Sequence, residues 1–314
     1  MTTTTTMSIG FVGLGRMGGN MAARFLAAGY SVYGEERNRQ HADELVHDGL
    51  QWRDTPREVA EAADVVFTSV PDDSVLELVA SGPNGILAGL AAEEIWVDMS
   101  TVSPRASREL AERVRTVGAT MLDAPVSGSV PQVQSGTLTI LVGGDKAAYA
   151  RVEPLLRELG TPRHVGENGQ GLLLKLAINI SLAVQVLAFS EGVLLAERGG
   201  LDRELAVEVI SESAIGSPLL RGRAPLLLDL PEDAWFDIEL AHKDIRLALA
   251  TGQSEGVPLP SAALADALFT KASELGYGHR DVAAVFEVLG RLGVQNGGDP
   301  QWRNDPDVKE RTRG

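Results

Sequence analysis

The sequence predicts an α/β domain with a parallel sheet, followed by an all-α domain that begins with one long helix. Short apolar, β-branched runs alternate with helical patterns from Ser8 to about Val165. Because each crossover between parallel strands must pack a helix back on the sheet, this alternation predicts a sheet covered on both faces. From Gly166 onward the strand signals stop and helical patterns follow one another, which predicts the all-α half.

Six runs in the first half are typical of strands, and two segments between them have clear helical spacing. The strand-like runs are IGFV (9–12), SVYG (31–34), DVVFTSV (64–70), IWVDMS (95–100), ATMLDA (119–124) and LTILVGG (138–144). The helical segments GGNMAARFLAAG and SPRASRELAERVRTVG end at Gly29 and Gly118, where a glycine is a helix-stop signal.

Helices are expected throughout the second half. Residues 169–198 form one helical stretch that is long enough to cross a whole domain. Further helical patterns are DRELAVEVISESA, DIELAHKDIRLALATGQSEG, SAALADALFTKASELG and DVAAVFEVLGRLG. The sequence therefore divides into a disordered leader (1–7), a sheet domain (8–165), an all-α domain (166–295) and a polar tail (296–314).

The composition excludes several kinds of site and partner. The 314 residues contain no cysteine, which excludes disulfides, thiolate zinc sites and a cysteine nucleophile. Histidine, aspartate and glutamate show no metal-ligand spacing, so we expect no metal. A formal net charge of −15 disfavours binding to nucleic acid and to anionic membranes.

The apolar segments favour a cytoplasmic protein. The N-terminal MTTTTTMS has neither a basic region nor a signal-type apolar core. Residues 171–189 have the apolar character of a membrane span, but Lys175, Asn179 and Gln185 interrupt them. The pattern therefore favours a long buried helix.

A glycine-rich turn joins the first strand to the first helix and predicts a dinucleotide site. Gly13 permits the tight turn, Gly15 lets the backbone approach a pyrophosphate, and Gly18 lets the helix pack close to the strand. The pyrophosphate would face unpaired N–H groups at the helix N-terminus, where the dipole favours an anion. The 8–165 domain is therefore predicted to be a Rossmann-like, dinucleotide-binding domain. Its predicted cofactor-binding residues in this turn are Gly13, Leu14, Gly15, Arg16, Met17 and Gly18.

An acid after the second strand completes this pattern. Glu36 lies 36 − 13 = 23 residues after Gly13, close to the roughly 20 expected for a carboxylate that binds the adenosine ribose. An acid there favours the free 2′-hydroxyl of NAD and repels the 2′-phosphate of NADP. Arg37 and Arg39 lie close by and could bind that phosphate, so NAD is favoured and NADP stays open.

Lys175 is the only charge before Glu191 in the apolar stretch GQGLLLKLAINISLAVQVLAFSEG. An unpaired buried ammonium is costly, so such a lysine snorkels, pairs or has a pKa depressed for chemistry. Lys175 and Asn179 are four residues apart and share one helix face. The residues alone leave a structural lysine and a general acid/base equally open.

Four separated motifs resemble the β-hydroxyacid dehydrogenase family, which includes 3-hydroxyisobutyrate dehydrogenase and tartronate semialdehyde reductase. They cover about residues 8–290 and stand in the family's order. The motifs are GFVGLGRMGGNMA, DAPVSGSVPQVQSGTLTILVGG (123–144), GQGLLLKLAIN with Lys175 and Asn179, and HKDIRLAL...GVPLP with Lys243 and Asp244. The second motif is the most specific. MSTVSP and SVPDD also resemble the family's cofactor-facing loops.

The resemblance implies a Rossmann-like α/β domain and an all-α domain, joined by a long interdomain helix that carries Lys175. It also implies an NAD(P)-dependent oxidoreductase of a small 3-hydroxy acid or the matching semialdehyde, with its site in the cleft between the domains. Lys175 would be the general acid/base, and Asn179 would hydrogen-bond the substrate. The substrate carboxylate would bind at Ser127 and Gly128, with Ser129 beside them in the same loop. The remaining positions, which would face the cofactor or close over the substrate, are Val70, Pro71, Thr101 and Lys243.

The substrate loop departs from the family pattern. Ser129 stands where the family usually has glycine, and Pro131-Gln132 replaces a Gly-Ala pair. Ile178 precedes Asn179, where the family often has another asparagine. Because these residues shape the substrate pocket, the resemblance leaves the side chain of the substrate open.

Two other functions stay open beside the dehydrogenase. One is an imine or ketone reductase on the same fold, and the other is a non-catalytic, cofactor-binding interaction module. In both kinds of relative the lysine position usually carries another residue, so Lys175 argues against them. The all-α domain would bind substrate and build a homodimer or homotetramer.

Overall fold

The computed structural model describes residues 7–295. The chain divides into two compact units, Met1–Lys175 and Leu176–Gly314. Residues 1–6 of the predicted leader and the predicted tail 296–314 lie outside the described residues. The domain boundary predicted at residue 165 falls within the first unit and stays a prediction.

The first unit is built on a single sheet that contains nine strands within residues 7–295. The strands are β1 (Ile9–Val12), β2 (Val32–Glu35), β3 (Gln51–Trp52), β4 (Val65–Thr68), β5 (Ile95–Asp98), β6 (Thr120–Asp123), β7 (Val126–Ser127), β8 (Leu138–Gly143) and β9 (Gly160–Gly166). Their order across the sheet is β3-β2-β1-β4-β5-β6-β8-β7, and β9 pairs with β8. The pairs from β3 to β6 are all parallel, which confirms the predicted parallel sheet.

The sheet departs from the parallel pattern beyond β6. Strand β8 runs antiparallel to both β6 and β7, whereas β9 runs parallel to β8. A parallel crossover needs a dozen or more residues, usually with a full helix. The segment between β7 and β8 contains only a six-residue helix, Val130–Ser135. The chain is too short there for a crossover, so it turns back beside its neighbour.

Helices cover both faces of this sheet. In the first unit they are α1 (Arg16–Ala27), α2 (Asp43–His47), α3 (Pro56–Glu61), α4 (Asp73–Ala80), α5 (Ile86–Gly89), α6 (Pro104–Thr116), α7 (Val130–Ser135) and α8 (Lys146–Leu159). Phe11, Phe25 and Phe67 belong to one buried cluster, and Trp96 and Leu110 to another. Two separate clusters are what a sheet that is buried on both faces requires.

The second unit is helical, as the loss of strand signals predicted. Helix α9 (Gln170–Arg198) begins in the first unit and continues into the second. It is followed by α10 (Arg203–Glu212), α11 (Pro218–Leu228), α12 (Ile238–Glu255), α13 (Pro260–Glu274) and α14 (Val285–Gln295). The sequence did not predict α11, because Gly222 and Pro225 interrupt its pattern. It forms because Pro218 occupies the first turn and the Ser217 hydroxyl accepts a hydrogen bond from the Leu220 N–H.

Helix α9 behaves as a core helix. By length and composition alone it could cross a membrane, since its most apolar window has a mean hydropathy of 2.0. However, Leu172 packs in a core cluster of the first unit, and Ala183, Phe189 and Val193 pack in clusters of the second. These buried contacts with other helices and with the sheet explain the apolar character of the segment without a membrane.

Candidate active site

The glycine-rich turn between β1 and α1 has the backbone geometry that its spacing predicted. Gly13 has a φ of 88°, and a Cβ there would lie 2.4 Å from the Ser69 carbonyl oxygen. A Cβ on Gly18 would lie 2.0 Å from the Gly13 carbonyl oxygen. By contrast, apart from Gly15 and its two chain neighbours, no heavy atom of the described residues comes within 4 Å of a Cβ built at Gly15. Gly13 and Gly18 are therefore needed for packing, whereas Gly15 leaves room for a ligand to approach the backbone.

The start of α1 suits an anionic group. Gly15 is the N-cap, and within the described chain no side chain caps this end and no acidic residue lies in the first turn. Backbone N–H groups at a helix start lack intrahelical partners and carry partial positive charge. Leu14 is buried beneath the turn, whereas Arg16 is exposed and Met17 is partly buried. The turn fits the pyrophosphate of a dinucleotide, and the binding role of its residues stays a prediction.

Glu36 lies directly after β2 and reaches back to the glycine turn. Its Oε2 accepts a hydrogen bond of 2.8 Å from the Leu14 N–H. This bond holds the carboxylate beside the turn, where a ribose hydroxyl of a dinucleotide binds in this fold. Burial, together with the charge of Glu36, raises the pKa of the adjacent Glu35 to about 7.

The two arginines that could bind a 2′-phosphate are both exposed after β2. The Arg39 guanidinium stacks over the Trp52 ring, 5.2 Å from its centroid, so this arginine is engaged in a contact of its own. Arg37 directly follows Glu36. Arg37 is therefore the better placed of the two to meet a phosphate near the Glu36 carboxylate.

A buried hydrogen-bond network holds the loops that follow β4 and β5. The Asp98 Oδ1 accepts hydrogen bonds from the hydroxyls of Thr68 and Ser100, at 2.7 and 2.6 Å. The Ser100 hydroxyl in turn accepts from the Val70 N–H at 2.9 Å. Burial raises the pKa of Asp98 to about 6, although the hydrogen bonds from Ser100 and Thr68 oppose the rise. The network therefore fixes Val70, and with it Pro71, at the carboxyl end of β4.

The predicted cofactor-facing loops meet the glycine turn at one edge of the sheet. A Cβ on Gly13 would lie 3.3 Å from the Val70 side chain, so these two positions are in contact. Thr101 follows the network residue Ser100 and is partly buried. The carboxyl edge of an open parallel sheet is where ligands bind in such folds. The structure thus brings Val70, Pro71 and Thr101 to the edge that carries the glycine turn.

The predicted carboxylate-binding loop follows β7. Ser127 ends that strand opposite Thr139 of β8, and Gly128 has a φ of 131°, which favours glycine. The N–H and the hydroxyl of Ser129 both donate to the Gln132 side-chain oxygen, at 2.9 and 3.1 Å. Ser129 could bind a substrate only if these two hydrogen bonds opened. The Ser127 hydroxyl and the Gly128 backbone take no part in them.

The residues that depart from the family pattern begin helix α7. Pro131 lies in its first turn, where a missing N–H costs no helical hydrogen bond. The Gln132 side chain accepts the hydrogen bond from the Ser129 N–H. It also lies so close to Gly128 that a Cβ there would come within 2.9 Å of the Gln132 Cβ. Gln132 therefore determines the shape of the predicted substrate loop as well as the start of α7.

Lys175 lies near the start of α9 with only 9% of its surface exposed. The turn before it is held by Asp123, at the end of β6, whose carboxylate accepts hydrogen bonds from the N–H groups of Gly169 and Leu172. Asp123 begins the second motif, but its sequence context predicted no role for it. Its position at the end of an apolar strand could have indicated such a role, because a buried carboxylate needs hydrogen-bond donors.

In the second unit Asn179 and Lys243 meet at one carboxylate. The Asn179 amide donates a hydrogen bond to Asp244 Oδ2, and Lys243 Nζ lies 3.1 Å from Asp244 Oδ1. Asp244 is 3% exposed. The sequence placed it in a motif without a role, and the structure shows that it joins two predicted site residues. Lys175 precedes Asn179 by one turn of α9, on the same helix face.

Two histidines that could act as acids or bases, His164 and His242, each contact another group of the chain. His164 Nε2 lies 2.8 Å from the Gly144 carbonyl oxygen, and His242 pairs with Asp266 at 2.8 Å. Across residues 7–295, no group of three or more His, Asp or Glu side chains is arranged to hold a metal ion.

Two family models match the chain in succession. One describes the NAD binding domain of 6-phosphogluconate dehydrogenase and matches residues 8–169. The other describes the NAD-binding region of NADP-dependent 3-hydroxyisobutyrate dehydrogenase and matches residues 169–289. Together they cover both the sheet unit and the helical unit.

Individual proteins give the same picture. Glyoxylate/succinic semialdehyde reductase 2 of Arabidopsis thaliana is 35% identical over 285 residues, which cover 90% of this chain and 80% of the relative. The 2-hydroxy-3-oxopropionate reductase of Escherichia coli is 34% identical, over 90% of this chain and 97% of the relative. The structure of Mycobacterium tuberculosis 3-hydroxyisobutyrate dehydrogenase with L-serine matches with a TM-score of 0.80 and 29% identity, over 90% of this chain and 99% of that one. An imine reductase from Pseudomonas sp., at 23% identity, is similar in fold alone.

Proposed function

Because the chain belongs to the β-hydroxyacid dehydrogenase family, we propose that it transfers a hydride between NAD(P) and a small 3-hydroxy acid, or the matching semialdehyde. It is an NAD(P)-dependent oxidoreductase of this family. The observation that carries the proposal is the buried Lys175 on α9, one turn before Asn179. Lys175 is the general acid/base of the proposed reaction.

The first unit binds the cofactor at the carboxyl edge of its sheet. When bound, NAD(P) accepts a hydride during oxidation or donates one during reduction. The turn of residues 13–18 offers backbone N–H groups to the pyrophosphate, and Glu36 accepts hydrogen bonds from the ribose hydroxyls. Val70, Pro71 and Thr101 flank the nicotinamide side of the dinucleotide. The hydrogen-bond network around Asp98 supports this role, because it makes the Val70 loop rigid.

Lys175 moves the proton that accompanies the hydride. In oxidation its neutral amine accepts the proton of the substrate hydroxyl, and in reduction its ammonium donates a proton to the carbonyl oxygen. Asn179 hydrogen-bonds the substrate beside the lysine. Lys243 closes over the cofactor or the substrate. The contacts of Asn179 and Lys243 with Asp244 support their roles, because a shared buried carboxylate limits the freedom of both side chains.

The carboxylate of the substrate binds at the loop after β7. The Ser127 hydroxyl and the Gly128 backbone N–H donate to it, and Ser129 contributes only when its bonds to Gln132 open. The similar proteins named above include reductases of glyoxylate, succinic semialdehyde and 2-hydroxy-3-oxopropionate, which are small acids. Their names support a short acid as the substrate of this chain as well.

NAD is the favoured cofactor, and NADP is the second candidate. The bond between the Leu14 N–H and Glu36 supports this order, because it holds a negative charge where a 2′-phosphate would have to fit. Arg37 is the residue through which NADP would bind instead. A comparison of kcat/KM for the two cofactors decides between them.

We further propose a cytoplasmic homodimer or homotetramer that assembles through the second unit. Several large apolar side chains there are more than half exposed, among them Leu195, Leu205 and Val209. Leu205 and Val209 lie four residues apart on one face of α10, and contiguous exposed apolar surface of this kind supports an interface. Light scattering of the purified chain measures the number of subunits, and a monomer at micromolar concentration would contradict the proposal.

The reaction is tested by turnover with 3-hydroxyisobutyrate, glycerate, serine and threonate, each with NAD and with NADP. We expect at least one acid to be oxidised, and Lys175→Ala to lose that activity. If every carboxylate fails while a cyclic imine or ketone is reduced, the imine or ketone reductase is the correct function. If the chain binds NADH and turns over neither class, it is a non-catalytic, cofactor-binding module.

A further inference from the structure

The carboxylate of Asp123 joins the sheet to the start of the helix that carries Lys175. Asp123 is the last residue of β6 and is fully buried. Its Oδ1 accepts a hydrogen bond of 2.7 Å from the Gly169 N–H, and its Oδ2 accepts one of 3.0 Å from the Leu172 N–H. Both oxygens are therefore engaged with the beginning of α9, each with a different N–H group.

These bonds meet a need of the helix itself. The first N–H groups of an α-helix have no intrahelical acceptor, and a negative charge near them is favourable. Gly169 directly precedes α9, and Leu172 is its third residue. Asp123 thus caps α9 from another element, whereas Asp145 caps α8 from the residue directly before that helix.

The surroundings of Asp123 leave no space for movement. A Cβ on Gly143 would lie 2.7 Å from Asp123 Oδ1, and a Cβ on Gly171 would lie 2.7 Å from Asp123 Oδ2. Two glycines on different elements therefore allow the backbone to close around the carboxylate. A second tie runs beside it, because the Asn168 side-chain amide donates to the Met121 carbonyl oxygen at 2.9 Å.

The position of Lys175 depends on the position of the first turn of α9. Lys175 lies three residues after Leu172, so the two residues occupy successive turns of α9 and are neighbours on its surface. A shift of the first turn of α9 along the sheet edge would carry the lysine amine with it. For a general acid/base, a displacement of about 1 Å can cost roughly a hundredfold in rate.

We infer that Asp123 is a positioning residue, which fixes the first turn of α9 on β6 and thereby sets where the Lys175 amine stands for proton transfer. This inference rests on the proposed function, since it assumes that Lys175 transfers the proton. Asp123 itself acts through the helix and touches neither substrate nor cofactor in this scheme.

A double-mutant cycle on the full-length enzyme tests the inference. Asp123→Asn keeps the shape but turns one acceptor into an amide that faces an N–H group. We expect it to lower kcat about ten- to a hundredfold in the wild-type background. In the Lys175→Ala background the same change should lower the residual kcat less than twofold, because the misplaced amine is already absent. NADH affinity, measured by fluorescence, should stay within threefold in all four proteins.

The matched control is Asp145→Asn, which removes the charge of the residue that caps α8, a helix in the same unit that carries none of the proposed site residues. It should leave kcat unchanged. An equal loss of kcat from Asp123→Asn in both backgrounds would overturn the inference and leave the role of Lys175 intact. Full turnover in Lys175→Ala would instead overturn the proposed function. If Asp123→Asn fails to fold, Asn168→Ala takes its place in the cycle and is judged by the same rule, with a smaller expected loss.

Discussion

The Asn179 side-chain amide donates a hydrogen bond to the buried carboxylate of Asp244. The other oxygen of that carboxylate lies 3.1 Å from Lys243 Nζ. One acid thus holds two side chains to which we assign contacts with substrate or cofactor. Since both partners depend on its charge, a single substitution tests whether their placement matters.

Asp244→Asn keeps the size of the side chain and removes its charge. We expect KM for the hydroxy acid to rise about tenfold, because hydrogen bonds to charged groups contribute about 1.5–3 kcal/mol. Steady-state kinetics at saturating NAD measure the change. The control is Asp266→Asn, which breaks another buried pair of the same unit, with His242. It should lower thermal stability without raising KM, and an unchanged KM in Asp244→Asn would contradict the assignment.

Glu36→Gln tests the choice of cofactor. The amide removes the charge that repels a 2′-phosphate while retaining an oxygen that can accept from the Leu14 N–H. We expect the ratio of kcat/KM for NAD to that for NADP to fall about tenfold, which corresponds to about 1.4 kcal/mol. Glu35→Gln, one residue earlier, is the control and should leave the ratio within twofold. A ratio that does not move in Glu36→Gln would remove Glu36 from the ribose site.

Gln132→Ala tests whether the substrate loop is restrained. The variant releases the N–H and hydroxyl of Ser129, which are bound to Gln132 in the wild type. If those donors can reach the substrate, KM for a carboxylate substrate should fall about threefold. Loss of the capping bond should also cost about 1 kcal/mol of stability. Gln134→Ala, in the same short helix, is the control. A KM that is unchanged in Gln132→Ala would show that Ser129 does not contact the acid.

Asp98 predicts a dependence of stability on pH. Burial raises its pKa to about 6 in the folded chain, against about 3.9 in an unfolded one. Between these values the folded state holds more protons, so the free energy of unfolding falls as pH rises from about 4 to 6. The contribution is fully present below pH 4 and lost above pH 6, and it is worth at most about 3 kcal/mol.

Urea unfolding of wild type and Asp98→Asn across pH 4–8 measures this contribution. The asparagine retains an oxygen for the bonds from Thr68 and Ser100 but does not titrate. We expect the wild type to lose stability relative to the variant as pH rises through this window. Glu35, whose pKa is raised to about 7, acts in the same direction, but it is present in both proteins and cancels in the difference. A constant difference between the two proteins would contradict the account.

The sequence pattern predicted those parts of the fold that depend on interactions between residues close together in the chain. The glycine spacing predicted the turn at Gly13 and the close packing at Gly18, because those conformations exclude other residues. The apolar runs predicted α9 and the strands β1, β2, β4, β5, β6 and β8, whereas the two-residue strand β3 gave no such signal. The four motifs predicted which residues to inspect, and Asn179 and Lys243 do meet at a common carboxylate.

What could not be predicted depends on partners that are distant in sequence. Asp123 accepts hydrogen bonds from N–H groups 46 and 49 residues away, and the residues next to it in the sequence do not indicate these partners. The antiparallel return of β8 depends on the shortness of α7, whose start is set by Gln132 folding back on Ser129. Each of these features depends on a tertiary contact, so a period or a spacing alone could not show it.

The central claim is that Lys175 transfers the proton during hydride transfer. Its most direct test is single-turnover kinetics of Lys175→Met, which keeps the length and apolar stem of the side chain on this apolar helix but removes the amine. We predict that the rate of NADH formation from the bound hydroxy acid falls about 10²- to 10⁴-fold, while NADH affinity stays within threefold of wild type. A rate within twofold of wild type would contradict the account.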